Sequence, residues 1–213
     1  MKTVYKKVFF LLFVVPMLLN AEGLGVYIPF SVYTQSDVSV DVVDSVTNGR
    51  DVKADYAPSL GLGVMYDTNV GENKLMNYRV GLEYMKLDVD SVDGSSSDQS
   101  GSRIDLTGTI GFGVIRGENL RLWVGPRMNF AWNDEVGGVK KTDGAYEIGI
   151  GVALGINVEL SRDLVMGADI DYREALLWGD TGSGKSFHGD IEGATARLSL
   201  IYMFGETFPK PMQ

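Results

Sequence analysis

The chain has no cysteine among its 213 residues, which excludes disulfides, thiolate metal sites and a lipidated N-terminal cysteine. It also lacks any excess of positive charge. The formal charge is −9, and removing Lys2, Lys6 and Lys7 with residues 1–21 takes it to −12. A surface of that sign repels phosphate backbones and argues against a nucleic-acid partner. Beyond residue 21 there is no apolar run approaching the roughly 20 residues of a spanning helix. If the mature protein sits in a membrane, it must do so as strands.

What is present begins with an address. Lys2, Lys6 and Lys7 form a basic n-region, "VFFLLFVVPMLL" (8–19) an apolar h-region, and Ala21 a cleavage point. Residues 1–21 are expected to be a cleaved signal peptide. The most informative later stretch is "YEIGIGVALGINVEL" (146–160). There Tyr146, Ile148, Ile150, Val152, Leu154, Ile156, Val158 and Leu160 alternate with Gly, Ala, Asn and Glu. Period-2 alternation this strict predicts a strand with one apolar face and one small or polar face. The same pattern recurs over 24–34, 58–66, 76–87, 103–115, 120–132, 164–173 and 193–204, giving eight segments near the 9–11 residues of a tilted membrane strand.

The connections alternate in length. Stretches 35–57, 88–102, 133–145 and 174–192 are long, whereas 67–75, 116–119 and 161–163 are short. Short turns on one side and long loops on the other predict an all-β, eight-stranded antiparallel up-and-down transmembrane barrel over 22–204. Residues 205–213 would be a short periplasmic tail. The Asn-Gly pair in "TNGR" (47–50) lets the first loop continue as a hairpin. A soluble barrel would carry Lys, Glu and Gln on its polar face. Here that face is mostly Gly, Ser, Thr and Asn, and Lys86 is the one strand lysine, near a strand end. Tyr66, Tyr78, Phe112, Tyr202 and Phe204 fall near the short turns. Tyr56, Tyr84, Trp132, Tyr146 and Trp178 fall near the long loops, as two girdles require.

The last segment, "RLSLIYMF", places Arg197, Ser199, Tyr202 and Phe204 at the positions of a final-strand assembly signal. In this it resembles small outer-membrane barrels of the OmpA/OmpX type. Ser199 stands where that signal usually has glycine, and nine further residues follow Phe204. The resemblance implies location in the cell outer membrane and recognition by the barrel-assembly machinery. It further implies contact with outer-membrane lipids and lipopolysaccharide. No periplasmic domain is expected after the barrel segment.

Three motifs invite chemistry. "GDTGSGKS" (179–186) matches a phosphate loop, but that mechanism needs a strand before and a helix after, and strand-like sequence follows here. No nucleotide and no cofactor is expected. "DVDSVDGSSSD" (88–98) spaces its acids wrongly for a calcium loop and has no closing Glu, so no metal site is expected. His188 has Ser186, Asp190 and Glu192 as neighbours, the residue types of a lipid-modifying enzyme, but a triad is defined by geometry and sequence proximity does not supply it. No catalytic residue is expected.

The orderly set is the charges on the inward face: Arg79, Arg103, Arg121, Arg127, Arg173 and Arg197 against Glu83, Asp105, Glu147, Glu159, Asp169 and Asp171. Glu83, Arg127, Asp171 and Arg197 should lie near mid-height. Eight strands enclose barely enough room for side chains, and buried charges must pair. The expectation is a lumen closed by ion pairs, in a non-enzymatic barrel with envelope-structural or surface-binding work carried by four extracellular loops. A narrow solute or ion pore lined by the same groups is the first alternative, and a lipid-modifying outer-membrane enzyme ranks behind it.

Overall fold

The structure, a computed structural model, describes residues 22–40, 50–68, 75–139, 142–181 and 186–204. The expected signal peptide, the tail 205–213, residues 47–49 of "TNGR" and residues 182–185 of "GDTGSGKS" lie outside the described residues.

The described residues form ten strands: β1 (Glu22–Val40), β2 (Arg50–Tyr56), β3 (Ser59–Asp67), β4 (Met76–Val92), β5 (Ser95–Ser96), β6 (Ser100–Arg116), β7 (Leu120–Asn133), β8 (Thr142–Ser161), β9 (Leu164–Thr181) and β10 (Ser186–Phe204). Every pairing is antiparallel, and β10 closes onto β1 from Glu22↔Phe204 to Val40↔Phe187. β2 and β3 share one place in the wall, both pairing with β1 on one side and β4 on the other. β5 merely extends the tip of β4. The ring therefore has the eight positions that the alternation predicts. Among the described residues, closure gives each of the eight wall positions a neighbour on both sides, the condition a membrane imposes on β structure.

The lower wall follows the predicted faces. Leu62 is 71% exposed and Ile150 69%, while inward neighbours such as Glu83 are 1% exposed. Apolar side chains outside and charged ones inside suit hydrocarbon around the ring, not water.

The upper wall corrects the expectation of long loops. β1, β2, β4, β9 and β10 run on through stretches the alternation left as connections, including 35–40, 50–56, 88–92, 174–181 and 186–192. There the inner face turns apolar and the outer face turns largely polar, although Leu176 and Trp178 still point outward. Asp37, Asp51, Lys53, Asp55, Lys86, Asp90, Glu174 and Asp190 point outward, and Val38, Val52, Ala54, Leu87, Val89, Leu177, Phe187 and Ile191 are buried inside. The strands leave the hydrocarbon, so water selects polar residues outside and the hydrophobic effect fills the interior. Tyr56 belongs to this inward set, being 7% exposed, and is not a girdle residue. The first connection does continue as a hairpin, with β1 and β2 paired up to Val40↔Arg50. Residues 88–98 form a tight hairpin, turning at Asp93 and Gly94, both at positive φ (49° and 74°).

Candidate functional site

Inward charges arise because every second residue of a lower-wall strand faces the lumen. The four expected mid-height residues are brought together in one chain of ion pairs. Arg197 on β10 grips Glu83 on β4 with Nε–Oε2 at 2.9 Å and Nη2–Oε1 at 3.1 Å, and reaches Asp171 on β9 with Nη1. Arg127 on β7 meets the same Asp171 at 2.8 Å and Asp169 at 2.9 Å, while its Nε donates to Thr109 Oγ1 at 2.7 Å. Arg79 then links Asp169 at 2.7 Å to Asp67 at 2.5 Å. The result is a continuous path, Glu83–Arg197–Asp171–Arg127–Asp169–Arg79–Asp67, crossing the lumen and descending it.

A second cluster lies nearer the exterior. Arg103 joins Asp105 at 3.0 Å and Glu147 at 2.7 Å, Asn133 donates to Glu147 at 2.6 Å, and Arg173 meets Asp105 at 3.1 Å. Arg121 and Glu159, 3.9 Å apart, stand at the periplasmic mouth, where Glu159 is partly exposed. Charges removed from water this completely persist only when paired and hydrogen-bonded.

Three members of the site were not read from the sequence. Asp67, the last residue of β3, was assigned to a turn; it is fully buried and raises the inward acids from six to seven. Trp123 shares the inward face of β7 with Arg121 and Arg127. It lies 4.9 Å beneath the Arg79 guanidinium, a cation–π contact that floors the lower lumen. Tyr27 stacks over Gly63, whose missing side chain makes room for the ring. The parity of 123 and 27 was available to find both; their contacts come from closure of the ring.

Above the ionic clusters the interior is apolar. Val38, Ala145, Ala175, Leu177, Phe187 and Ile191 pack with Val136 and Val139 from the segment joining β7 to β8. That segment folds inward. The Gly137 amide donates to the Tyr56 hydroxyl at 3.0 Å and the Gly138 amide to Gln99 Oε1 at 2.8 Å. Asp134 ties its root to Ser102 through Ser102 N at 2.5 Å and Oγ at 2.7 Å.

The wall carries several register shifts, and at one place the pairing breaks toward both neighbours. β2 ends at Tyr56 and β3 starts at Ser59, with Pro58 between them. Toward β4 the pairing lapses from Tyr56↔Val89 to Gly61↔Met85, bridged by Ala57 N donating to Asp88 O at 2.8 Å. Toward β1 it lapses from Tyr27↔Gly63 to Phe30↔Leu60, where Pro29 has no N–H to give. An apolar hollow of about 840 Å³ on the outer face, lined by Ile28, Leu62, Tyr84 and Ile104 among others, adjoins this lapse.

Of the remaining candidates, His188 stands exposed on the outer face of β10 with Ser186, Asp190 and Glu192 at two-residue steps. β10 begins at Ser186, a strand where a phosphate loop requires a helix. Tyr202 and Phe204 lie outward at the lower end of β10, rings 6.3 Å apart, with Arg197 and Ser199 inward above them.

No protein-family model matches the chain, and no curated protein matches it. Solved structures do. The outer membrane protein OprG from Pseudomonas aeruginosa superposes with a TM-score of 0.58 at 14% identity, covering 88% of this chain and 97% of OprG. The outer membrane protein AlkL, determined in lipid bilayers, gives 0.51 at 13% identity, covering 92% of this chain and 94% of AlkL. The chain therefore has the fold of the small outer-membrane β-barrels of Gram-negative bacteria.

Proposed function

We propose that this chain, an integral outer-membrane barrel by fold, is non-enzymatic and does not conduct along its axis, working through its wall and its exterior extension. The observation that carries the reading is the pair of seals stacked in the lumen. The ion-pair layer built on Glu83, Arg127, Asp171 and Arg197 lies below, and the apolar layer closed by Val136 and Val139 lies above. An ion crossing the first must separate buried partners; crossing the second, it must enter an apolar interior without water. The apolar outer belt fits lipid chains, and the acidic extension above it offers the surface for an extracellular ligand.

In planar bilayers the wild-type protein is expected to give no stepwise conductance. Arg197→Ala alone leaves the upper seal in place. Conductance steps are expected only when it is combined with Val136→Ser and Val139→Ser. Steps from the wild type would overturn the reading.

A second reading is favoured by one observation, the lapse in the wall at Pro58. There the apolar group Ala54, Tyr56, Leu87 and Val89 backs directly onto the interrupted ladder, next to the outer hollow. Small apolar molecules could leave the upper interior sideways into the membrane while the axis stays shut. Restoring ladder donors with Pro29→Val and Pro58→Val should then slow entry of 1-N-phenylnaphthylamine into cells carrying the protein. Equal rates would remove this reading and leave the first intact.

A further inference from the structure

We propose that the outer wall carries a binding groove for an ammonium-headed amphiphile, centred on Glu174 and Asp190. The groove lies outside the ring, so the inference rests on the exterior-binding part of the reading above and not on the seals in the lumen. It has a volume of about 710 Å³, runs across β7, β8, β9 and β10, and reaches β1 and β2. Its two halves differ in chemistry. Met128, Ile148, Ile150 and Leu176 line one, and Asp37, Glu174, Asp190 and Glu192 line the other. Concave sites of this size take small molecules, and a few polar groups fix the orientation of what binds. Lys53, 3.4 Å from Asp37, is the one cation in the lining, so four carboxylates stand against one ammonium.

Register sharpens the imbalance. Glu174 stands directly opposite Glu192 on the β9–β10 ladder, and Asp37 directly opposite Asp190 on the β1–β10 ladder. All four point outward, on two successive outward rungs. Like charges facing each other across a ladder destabilise it, and a cation between them relieves the repulsion. Glu192 is held in place: the Tyr172 hydroxyl donates to its Oε2 at 2.6 Å, and the Tyr33 hydroxyl lies 2.9 Å from its Oε1. Among the described residues, neither Glu174 nor Asp190 has an ion-pair partner. Nor, among those residues, are any three acidic or histidine side chains placed to share a metal ion. The negative charge is spread along the wall, an arrangement that suits an organic head with several N–H donors.

Depth identifies the rest of the occupant. On β9, Glu174 sits between Tyr172 below and Trp178 above, all three pointing outward. Such rings favour the headgroup level of a membrane. The apolar half of the groove continues the belt that meets hydrocarbon, and the acidic half continues the extension that meets water. A molecule that fills both halves is an amphiphile, with its chain along Ile148 and Ile150 and its head among the carboxylates. The sign of the charge selects an ammonium head over a phosphate or a sulfate.

The test uses the full protein in phosphatidylcholine vesicles and, as probe, dodecylamine carrying a photoreactive diazirine in mid-chain. After irradiation the label is mapped by mass spectrometry of proteolytic fragments. In the wild type it should fall on 146–152 and 174–178 and saturate with probe concentration. Glu174→Gln combined with Asp190→Asn changes only exposed side chains, and heat-modifiable gel migration checks that the variant folds. It should raise the half-saturating concentration about fivefold or more, the worth of two exposed ion pairs. The same chain with a sulfate head should leave the site unlabelled. Equal labelling by sulfate and amine, the behaviour of a hollow that takes any lipid chain, overturns the proposal. So does a double variant that saturates like the wild type. Saturable amine-specific label elsewhere on the extension overturns this site and keeps the exterior-binding reading. Bilayer conductance tests the seals separately.

Discussion

Arg197 shows most clearly what one residue does in this lumen. It holds Glu83 with two hydrogen bonds and reaches Asp171, so Arg197→Ala would leave two buried carboxylates short of their counter-charge. Breaking one side of a buried pair costs about 3–5 kcal/mol, whereas replacing both sides with apolar groups of similar volume is often neutral. Denaturant unfolding in micelles should therefore show Arg197→Ala destabilised by that amount. Arg197→Met combined with Glu83→Gln should recover part of the loss. If the single and double variants unfold together, the pairing contributes nothing. A second prediction concerns Trp123, whose ring fills the space where Gly155 lacks a side chain. Gly155→Val should cost about 1–3 kcal/mol through overpacking, read by the same unfolding curve. The charges themselves were legible residue by residue, since parity alone places them inside. Their partners were not, because Glu83 and Arg197 are 114 positions apart and meet only across the closed ring.

Single strands of this protein change character along their length. β9 presents Met166, Ile170 and Tyr172 outward, then Glu174, Leu176, Trp178 and Asp180, while its inward residues pass from Asp169, Asp171 and Arg173 to Ala175 and Leu177. β10 makes the same exchange in reverse, from Phe187 and Ile191 inside to Thr195, Arg197 and Ser199. A search for one polarity rule stops where the rule inverts, and for that reason the upper strands read as loops. Phe187→Asp places a charge in the upper core and should loosen the extension alone. Proteinase K should then cut near the ends of β9 and β10, leaving a membrane-protected fragment that still migrates as folded. Glu174→Leu, on the outer face, should leave the digestion pattern of the wild type. Complete digestion of Phe187→Asp would mean that the two halves of the barrel fold as one unit. At the closing strand, Phe204→Ala is expected to slow folding into lipid vesicles in the presence of the assembly machinery more than without it. Equal slowing would reduce Phe204 to a packing residue.

The whole molecule is a ring whose two ends meet different solvents. Its lower wall is turned inside out relative to a water-soluble barrel, and its upper wall is turned back again. Heating before electrophoresis should shift the band, since a closed ladder resists detergent until its hydrogen bonds break together. A band that does not shift would argue against closure. The local sequence determined which residues form strands and which face each takes in the lower wall, because side chains on a strand alternate and hydrocarbon demands apolar neighbours. It also determined the ring size, through the number of alternating segments. Only the tertiary structure decided that Asp67 and Trp123 join the lumen network, that Val136 and Val139 stopper it, and that the wall lapses beside Pro58. Those outcomes depend on register and on the curvature of a closed sheet, which relate residues far apart in the chain and leave no periodic trace within any one strand.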